Sequence, residues 1–301
     1  MWHRINAEDF AESGKVMRGL EEPGVWFVCD EYEINRGAVV AKYPYPVGDP
    51  GDSEIRWGPY MPLEFAPHLF LSFSRLHEEG EFEESVLAWS NKYGVIGGDR
   101  FGRLSESGGV PIARFREEAK RAWVVLRLYE SALNSDAQAV QSLLHRYRDD
   151  QLIQALLAEY RKSALFIAVS SESPDEEIPE HHLPPFALYE SVQVVNRAVR
   201  TYCHRELVPT TTFRKGGRLL ADPAGTVGKW KFSNLLGAMY LQMYWLIEAG
   251  DKLTRCGHCG RVISLARPHP KGRKCRNDMR YCDDACRQAY HRAKKKGVTS
   301  A

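Results

Sequence analysis

Apolar and polar residues alternate over the first sixty positions of the chain and then change period. The runs GVWFVCDEYEI from Gly24, GAVVAKYPYPV from Gly37 and SEIRWGPYMPL from Ser53 read as strands. Turn chemistry at Asn35-Arg36-Gly37 and at Gly48-Asp49-Pro50-Gly51-Asp52 separates them. Together they predict a small antiparallel β meander. From Glu64 the period becomes helical. Phe65, Leu69, Phe73 and Leu76 define one helix ending near Gly80, and Phe82, Val86, Leu87 and Trp89 define another ending near Gly94.

Beyond a Gly-rich loop, Phe115, Ala119, Ala122, Trp123, Leu126 and Tyr129 share a face of a helix that begins near Pro111 and is punctuated by Asn134-Ser135-Asp136. Helices also fit AQAVQSLLHRYR from Ala137, QLIQALLAEYRKSALF from Gln151 and the stretch from Phe186 to Arg205. The acidic, Pro-rich segment from Ser170 to Pro185 reads as an exposed connection. TTFRKGGRLLAD suggests a short hairpin turning at Gly216-Gly217, and Ser233 is placed to cap an apolar helix that Gly250 ends. The fold class is α+β: a mostly helical body with a small N-terminal antiparallel β meander, plus a separate C-terminal module. The expected divisions are a β-rich part over residues 1–62, a helical body over 63–251 and the C-terminal module over 252–297.

Composition adds little to this, with 44% hydrophobic and 27% charged residues, as in ordinary globular chains. The first residues, MWHRINAEDFAESG, hold no signal-like apolar run, and the apolar stretch from Leu235 is interrupted by Gln242 and too short to cross a bilayer. A cytoplasmic location and no membrane partner are the expectation. Charge changes the picture. The overall net charge of +2 conceals 14 Lys+Arg against 3 Asp+Glu from Lys252 onward, a net +11, so residues 1–251 carry −9. A basic module on an acidic body is the usual footprint of a segment that meets a polyanion.

Five of the seven cysteines lie in that module. Cys256 and Cys259 stand two residues apart within CGHCG, the form of a tight knuckle whose amides can face sulfur. Cys282 and Cys286 flank the start of a helix for which Asp283 or Asp284 is a suitable N-cap, and a helix N-terminus favours thiolate. Knuckle, loop and a pair at a helix start make a C-terminal treble-clef zinc finger beside the α+β body; four thiolates close a tetrahedral shell with no open position for catalysis, which suits one structural Zn2+ ion, with iron in four sulfurs the less supported alternative. Cys275 can replace a member of the second pair but lies in the basic run KGRKCRND; His258 and His269 are weaker candidates. With Cys286 turned to the metal, Ala289, Tyr290 and Ala293 continue the inner face. Arg287, His291, Lys294 and Lys295 then face outward, with Gln288 and Arg292 beside them. Arg267, Lys271, Arg273, Lys274, Arg276 and Arg280 add to the basic surface from the loop. Such a cluster suits phosphate contacts, and Arg or Gln on a helix can reach base edges.

CGHCG followed by RYCDDACRQAYHRAKKKG resembles the C-terminal zinc fingers of bacterial CGNR-type proteins, which are regarded as DNA-binding modules of transcriptional regulators. The shared features are the CxxCG knuckle, Tyr281-Cys282 and the basic helix after the last cysteine. Where that family reads Cys-Gly-Asn-Arg, this chain has Cys286-Arg287-Gln288-Ala289, and the body lacks the Asp-Phe-Val-Asn-Thr opening of those proteins. The segments LSFSRLHEEGEFEESVLAWSNKYGVIGG and LLGAMYLQMYWLIEAGDKLTRCGHCGR are also similar to a group of bacterial proteins that end in the same finger and have no established activity. The resemblance implies a nucleic-acid-binding protein acting on DNA in preference to RNA. The body would then serve as a sensor or homodimerisation unit. The alternative is a protein-interaction module in which the finger is only a clamp.

No enzyme is expected. A treble clef also carries HNH nuclease chemistry, but His269, Asn277 and His291 are not ordered to place two histidines across a ββα unit. Cys203-His204, read as helical, diverge too far to act as nucleophile and base. Cys29 reads as a buried strand residue, His181-His182 as a solvated pair, and Trp89, Trp123, Trp230 and Trp245 as core.

Overall fold

The computed structural model describes residues 26–43, 57–60, 62–66, 68–97, 109–161, 178–213, 219–248, 253–256, 258, 262–264, 281 and 284–295. Its first strands are β1 (Trp26–Cys29), β2 (Tyr32–Asn35) and β3 (Ala38–Ala41). β2 and β3 form the expected hairpin, with Asn35 opposite Ala38. The two residues between them, Arg36 and Gly37, both have positive φ (49° and 74°), the signature of a type I′ connection that follows strand twist. The strands do not form one meander, however. β1 pairs antiparallel with β4 (Trp57–Tyr60), whereas β3 takes its second partner from beyond the next helices, β5 (Gly109–Pro111).

The helix expected from Phe65 to Leu76 is broken. α1 spans Pro62–Phe65, α2 spans Leu69–Ser74, and a 3-10 turn over Arg75–Glu78 follows. Ala66 precedes Pro67, and a residue before proline is biased out of the helical region. α3 (Phe82–Tyr93) ends at Gly94 as expected. At φ 90° Gly94 has a conformation that L side chains rarely adopt, and a Cβ there would lie 2.9 Å from Trp26 Nε1. Gly94→Ala is therefore expected to cost about 2 kcal/mol, from backbone strain and overpacking. The check is the denaturant midpoint; an unchanged midpoint would show that neither the backbone strain nor the contact with Trp26 is felt.

α4 (Ile112–Leu133) starts one residue later than expected, because Pro111 closes β5 and the Ile112 amide donates to Gly37 O at 2.9 Å. Its face of Phe115, Ala119, Ala122, Trp123, Leu126 and Tyr129 is buried. α5 (Ala137–Arg146) is capped by Asp136, whose Oδ1 accepts from the Ala139 amide at 2.9 Å. α6 (Gln151–Arg161) is capped in the same way by Asp150, which accepts from Leu152 N. α7 (Leu183–Tyr202) begins before Phe186. Pro184 and Pro185 occupy its first turn, where amides have no intrahelical acceptor and proline costs little.

α7 does not continue to Arg205. The chain turns directly into β6 (Cys203–Phe213), which pairs antiparallel with β7 (Leu219–Phe232) as a ribbon far longer than the hairpin expected; residues 214–218 lie outside the described residues. α8 (Leu235–Glu248) is the apolar helix, but its cap is Asn234: Oδ1 accepts from Gly237 N at 3.0 Å. Ser233 instead ties to Tyr202 O, through its amide at 2.8 Å and its hydroxyl at 3.3 Å. β8 (Leu253–Arg255), β9 (Val262–Ser264) and α9 (Asp284–Lys295) complete the described elements. The architecture is α+β and mostly helical, with small antiparallel sheets. Among the described residues no helix is long and apolar enough to cross a membrane.

The chain divides into two compact units, residues 1–123 with 194–242, and residues 124–193 with 243–301. In the first, Phe73, Trp89 and Phe115 pack ring against ring at 5.1–6.4 Å, and Trp89 Nε1 donates to Ser72 Oγ. Each such ring contributes about 1.5–3 kcal/mol by leaving water. In the second, Val140, Leu143, Ile153, Leu156, Leu183 and Phe186 are buried.

Candidate metal centre and basic helix

β8 and β9 are joined at the position where the first cysteine pair stands. Arg255 pairs with Val262, so residues 256–261 make the connection of a short hairpin. Cys256, the first residue after β8, is only 3% exposed, whereas His258 faces solvent. Cys256 is thus sheltered at a strand end, whereas His258, two residues on, is not. Cys259 lies outside the described residues.

The second pair is met at α9. The helix opens at Asp284, and Cys286 sits on its first turn, half-buried. Amides of that turn lack intrahelical acceptors and the macrodipole is positive there, so a thiolate is favoured. Cys282 lies outside the described residues, but its neighbour Tyr281 is placed: its ring is 5.3 Å from Tyr290 and 6.1 Å from His291. This contact ties the residue before Cys282 to the second turn of α9. Among the described residues no group of three His, Cys, Asp or Glu side chains is assembled. Cys256 is buried and Cys286 half-buried on the first turn of a helix, positions that suit two thiolate ligands of a structural zinc; the other two members of the set lie outside the described residues.

Along α9, exposure separates two faces. Cys286, Ala289 and Tyr290 are half-buried, and Arg287, Gln288, His291 and Arg292 are exposed. Arg292 Nε donates to Gln288 O at 3.4 Å, which lays that side chain along the helix. Lys294 and Lys295 belong to the helix, but their side chains, with that of Ala293, lie outside the described set. Arg267, Lys271, Arg273, Lys274, Arg276, Arg280, Cys275, His269 and Asn277 also lie outside the described residues.

The other candidates fall away from chemistry. Cys203 and His204 are in β6 rather than in a helix, on opposite sides of the strand: Cys203 is buried and His204 exposed. The Cys203 thiol donates to Gly237 O at 3.3 Å, and burial pushes its pKa up to about 12, the reverse of an activated nucleophile. Cys29 is fully buried in β1. His181 and His182 lie in a 3-10 turn, His181 exposed and His182 half-buried, with rings 3.9 Å apart. Burial, with the neighbouring His181, moves the His182 pKa below the usual imidazole range. Trp89 and Trp123 are buried, and Trp230 and Trp245 half-buried. Compared with the models of known protein families, with characterised proteins and with solved structures, the chain matches none.

Proposed function

We propose that the chain is a nucleic-acid-binding protein in which a structural zinc ion, held by Cys256, Cys259, Cys282 and Cys286, fixes a basic helix for contact with DNA. Regulation of transcription is the role that fits such a module on an acidic body, and the finger's resemblance to CGNR-type proteins supports it. The observation that carries the reading is the division of α9: Arg287, Gln288, His291 and Arg292 are exposed opposite half-buried Cys286 and Tyr290. Four neighbouring polar and cationic side chains on one exposed helix face can meet phosphates, and Arg and Gln can read base edges. The alternative, a clamp for protein contacts, would call for an acidic partner to meet the excess of +11 in the last fifty residues.

Mobility-shift titration of the intact chain against duplex DNA tests this. Binding is expected to weaken steeply with salt, and replacing Arg287, Arg292, Lys294 and Lys295 with Ala is expected to reduce the log K against log salt slope by about 3.6, at about 0.9 per lost phosphate contact. An intact, folded chain that shifts no duplex at low salt would refute the proposal. Competition by single-stranded RNA at equal nucleotide concentration decides the preference for DNA.

A further inference from the structure

The long ribbon is a second island of positive charge. Between Cys203 and Phe232 the sequence carries Arg205, Arg214, Lys215, Arg218, Lys229 and Lys231 against two acids, a net +4; the rest of residues 1–251 then carries −13. A cationic stretch inside so acidic a body is not explained by overall solubility. Its shape is equally distinct. β6 and β7 have 11 and 14 residues and form a sheet of two strands only, to which no further described strand is hydrogen-bonded.

The root of the ribbon is held by the core. Cys203 and Phe232 are buried opposite one another, the Cys203 thiol donates to Gly237 O, and the Phe232 ring lies 6.2 Å from that of Trp26. One residue further out, exposure begins: His204 and Arg205 are exposed, and Trp230 and Lys231 are half-buried. The register sets His204 opposite Lys231, Arg205 opposite Trp230 and Glu206 opposite Lys229, so cations occur at positions on both faces.

Two unpartnered edges ordinarily invite a third strand from a second copy or a peptide. Here Pro209 in β6 and Pro223 in β7 each remove a donor, and the register shifts between Pro209 and Thr211. Those features make the edges poor templates for strand addition. A polyanion needs no edge, only charge and a fitting width, and a two-stranded ribbon is an element that the major groove of duplex DNA admits. We infer that the β6–β7 ribbon is a second DNA contact, meeting the phosphate backbone through Arg205 and Lys231 near its root and Lys229 one step further out. This rests on the nucleic-acid reading above.

The test uses the full chain and a fluorescently labelled random-sequence duplex, titrated across a salt series. Arg205→Gln, Lys229→Gln and Lys231→Gln together are expected to lower the salt slope by about 2.7. In the wild type, added duplex is expected to protect Lys229 and Lys231 from amine acylation as read by mass spectrometry, which decides the matter even where the triple variant folds poorly. Wild-type binding that weakens when α9 is stripped of charge, with the ribbon slope unchanged and both lysines still reactive, overturns the ribbon contact alone. A wild-type chain that binds no duplex overturns both readings.

Discussion

Gln242→Met is expected to destabilise the first unit by about 3 kcal/mol, although it exchanges one unbranched side chain for another of similar length. Gln242 is 3% exposed within the otherwise apolar α8. Its Oε1 accepts from Phe70 N at 3.2 Å, and its Nε2 donates to Ala66 O at 2.7 Å and to Pro62 O at 3.3 Å. Phe70 is the second residue of α2, so its amide has no intrahelical acceptor. One side chain thus joins α1 and the residue after it to the start of α2, across the break between the two helices. Methionine fills the space but orphans the Phe70 amide and removes a second partner from two carbonyls. A buried unsatisfied polar group costs about 1–3 kcal/mol.

Gln242→Glu separates polarity from volume. Its ionised carboxylate can accept from Phe70 N but faces two carbonyl oxygens, which, with burial, holds the folded-state pKa above the unfolded one. The variant should therefore gain stability as pH falls, because the neutral acid can again donate to a carbonyl, and lose it as pH rises. Denaturant midpoints measured at several pH values check this. A Gln242→Met midpoint equal to that of the wild type, or a Glu variant indifferent to pH, would show that the three hydrogen bonds are dispensable.

Why Gln242 is invisible as a clamp in the sequence is instructive. In LLGAMYLQMYWLIE it reads only as a polar interruption, since its partners lie 172–180 residues away. Local signals were legible where the physics is local. Arg36-Gly37 supplies the turn, Gly94 stops α3, and the apolar face around Phe115 and Trp123 is buried as its spacing implies. Misreadings occur where a distant segment decides. Pro111 looks like a helix start, yet Gly109–Pro111 pairs with β3, where a Cβ on Gly109 would come within 2.5 Å of Val40 Cγ1. Likewise the valines of α7 keep helical spacing and no Gly or Pro occurs between Gln193 and Pro209, but Tyr202 O is taken by Ser233 and the chain leaves as a strand. Of the metal centre, cysteine spacing and the helix start at the second pair suggested the arrangement. The structure adds shelter for Cys256 and Cys286 and the solvent exposure of Arg287, Gln288, His291 and Arg292.

Loss of zinc is expected to have the largest effect of all. The purified chain should hold one zinc ion, and Cys256→Ser and Cys286→Ser should each abolish it, whereas Cys275→Ser should retain it. A tetrahedral site deprived of one thiolate loses much of an apparent binding energy of about 10–16 kcal/mol, which in small fingers is also their folding energy. Among the described residues, this part has two short strands, β8 and β9, and one helix of twelve residues with which to form a core. Chelation should therefore release the Tyr281–Tyr290 contact, seen now at 5.3 Å, as a loss of near-ultraviolet tyrosine dichroism. It should abolish the duplex shift at the same metal occupancy. The charge variants of α9 provide the contrast: they should lose the shift while keeping both zinc and the tyrosine signal, because Arg287 and Arg292 are exposed whereas Cys286 is half-buried. Full zinc retention in both serine variants would disprove the ligand assignment. A metal-free chain that still binds duplex with the wild-type salt slope would show that the metal does not hold the contact surface together.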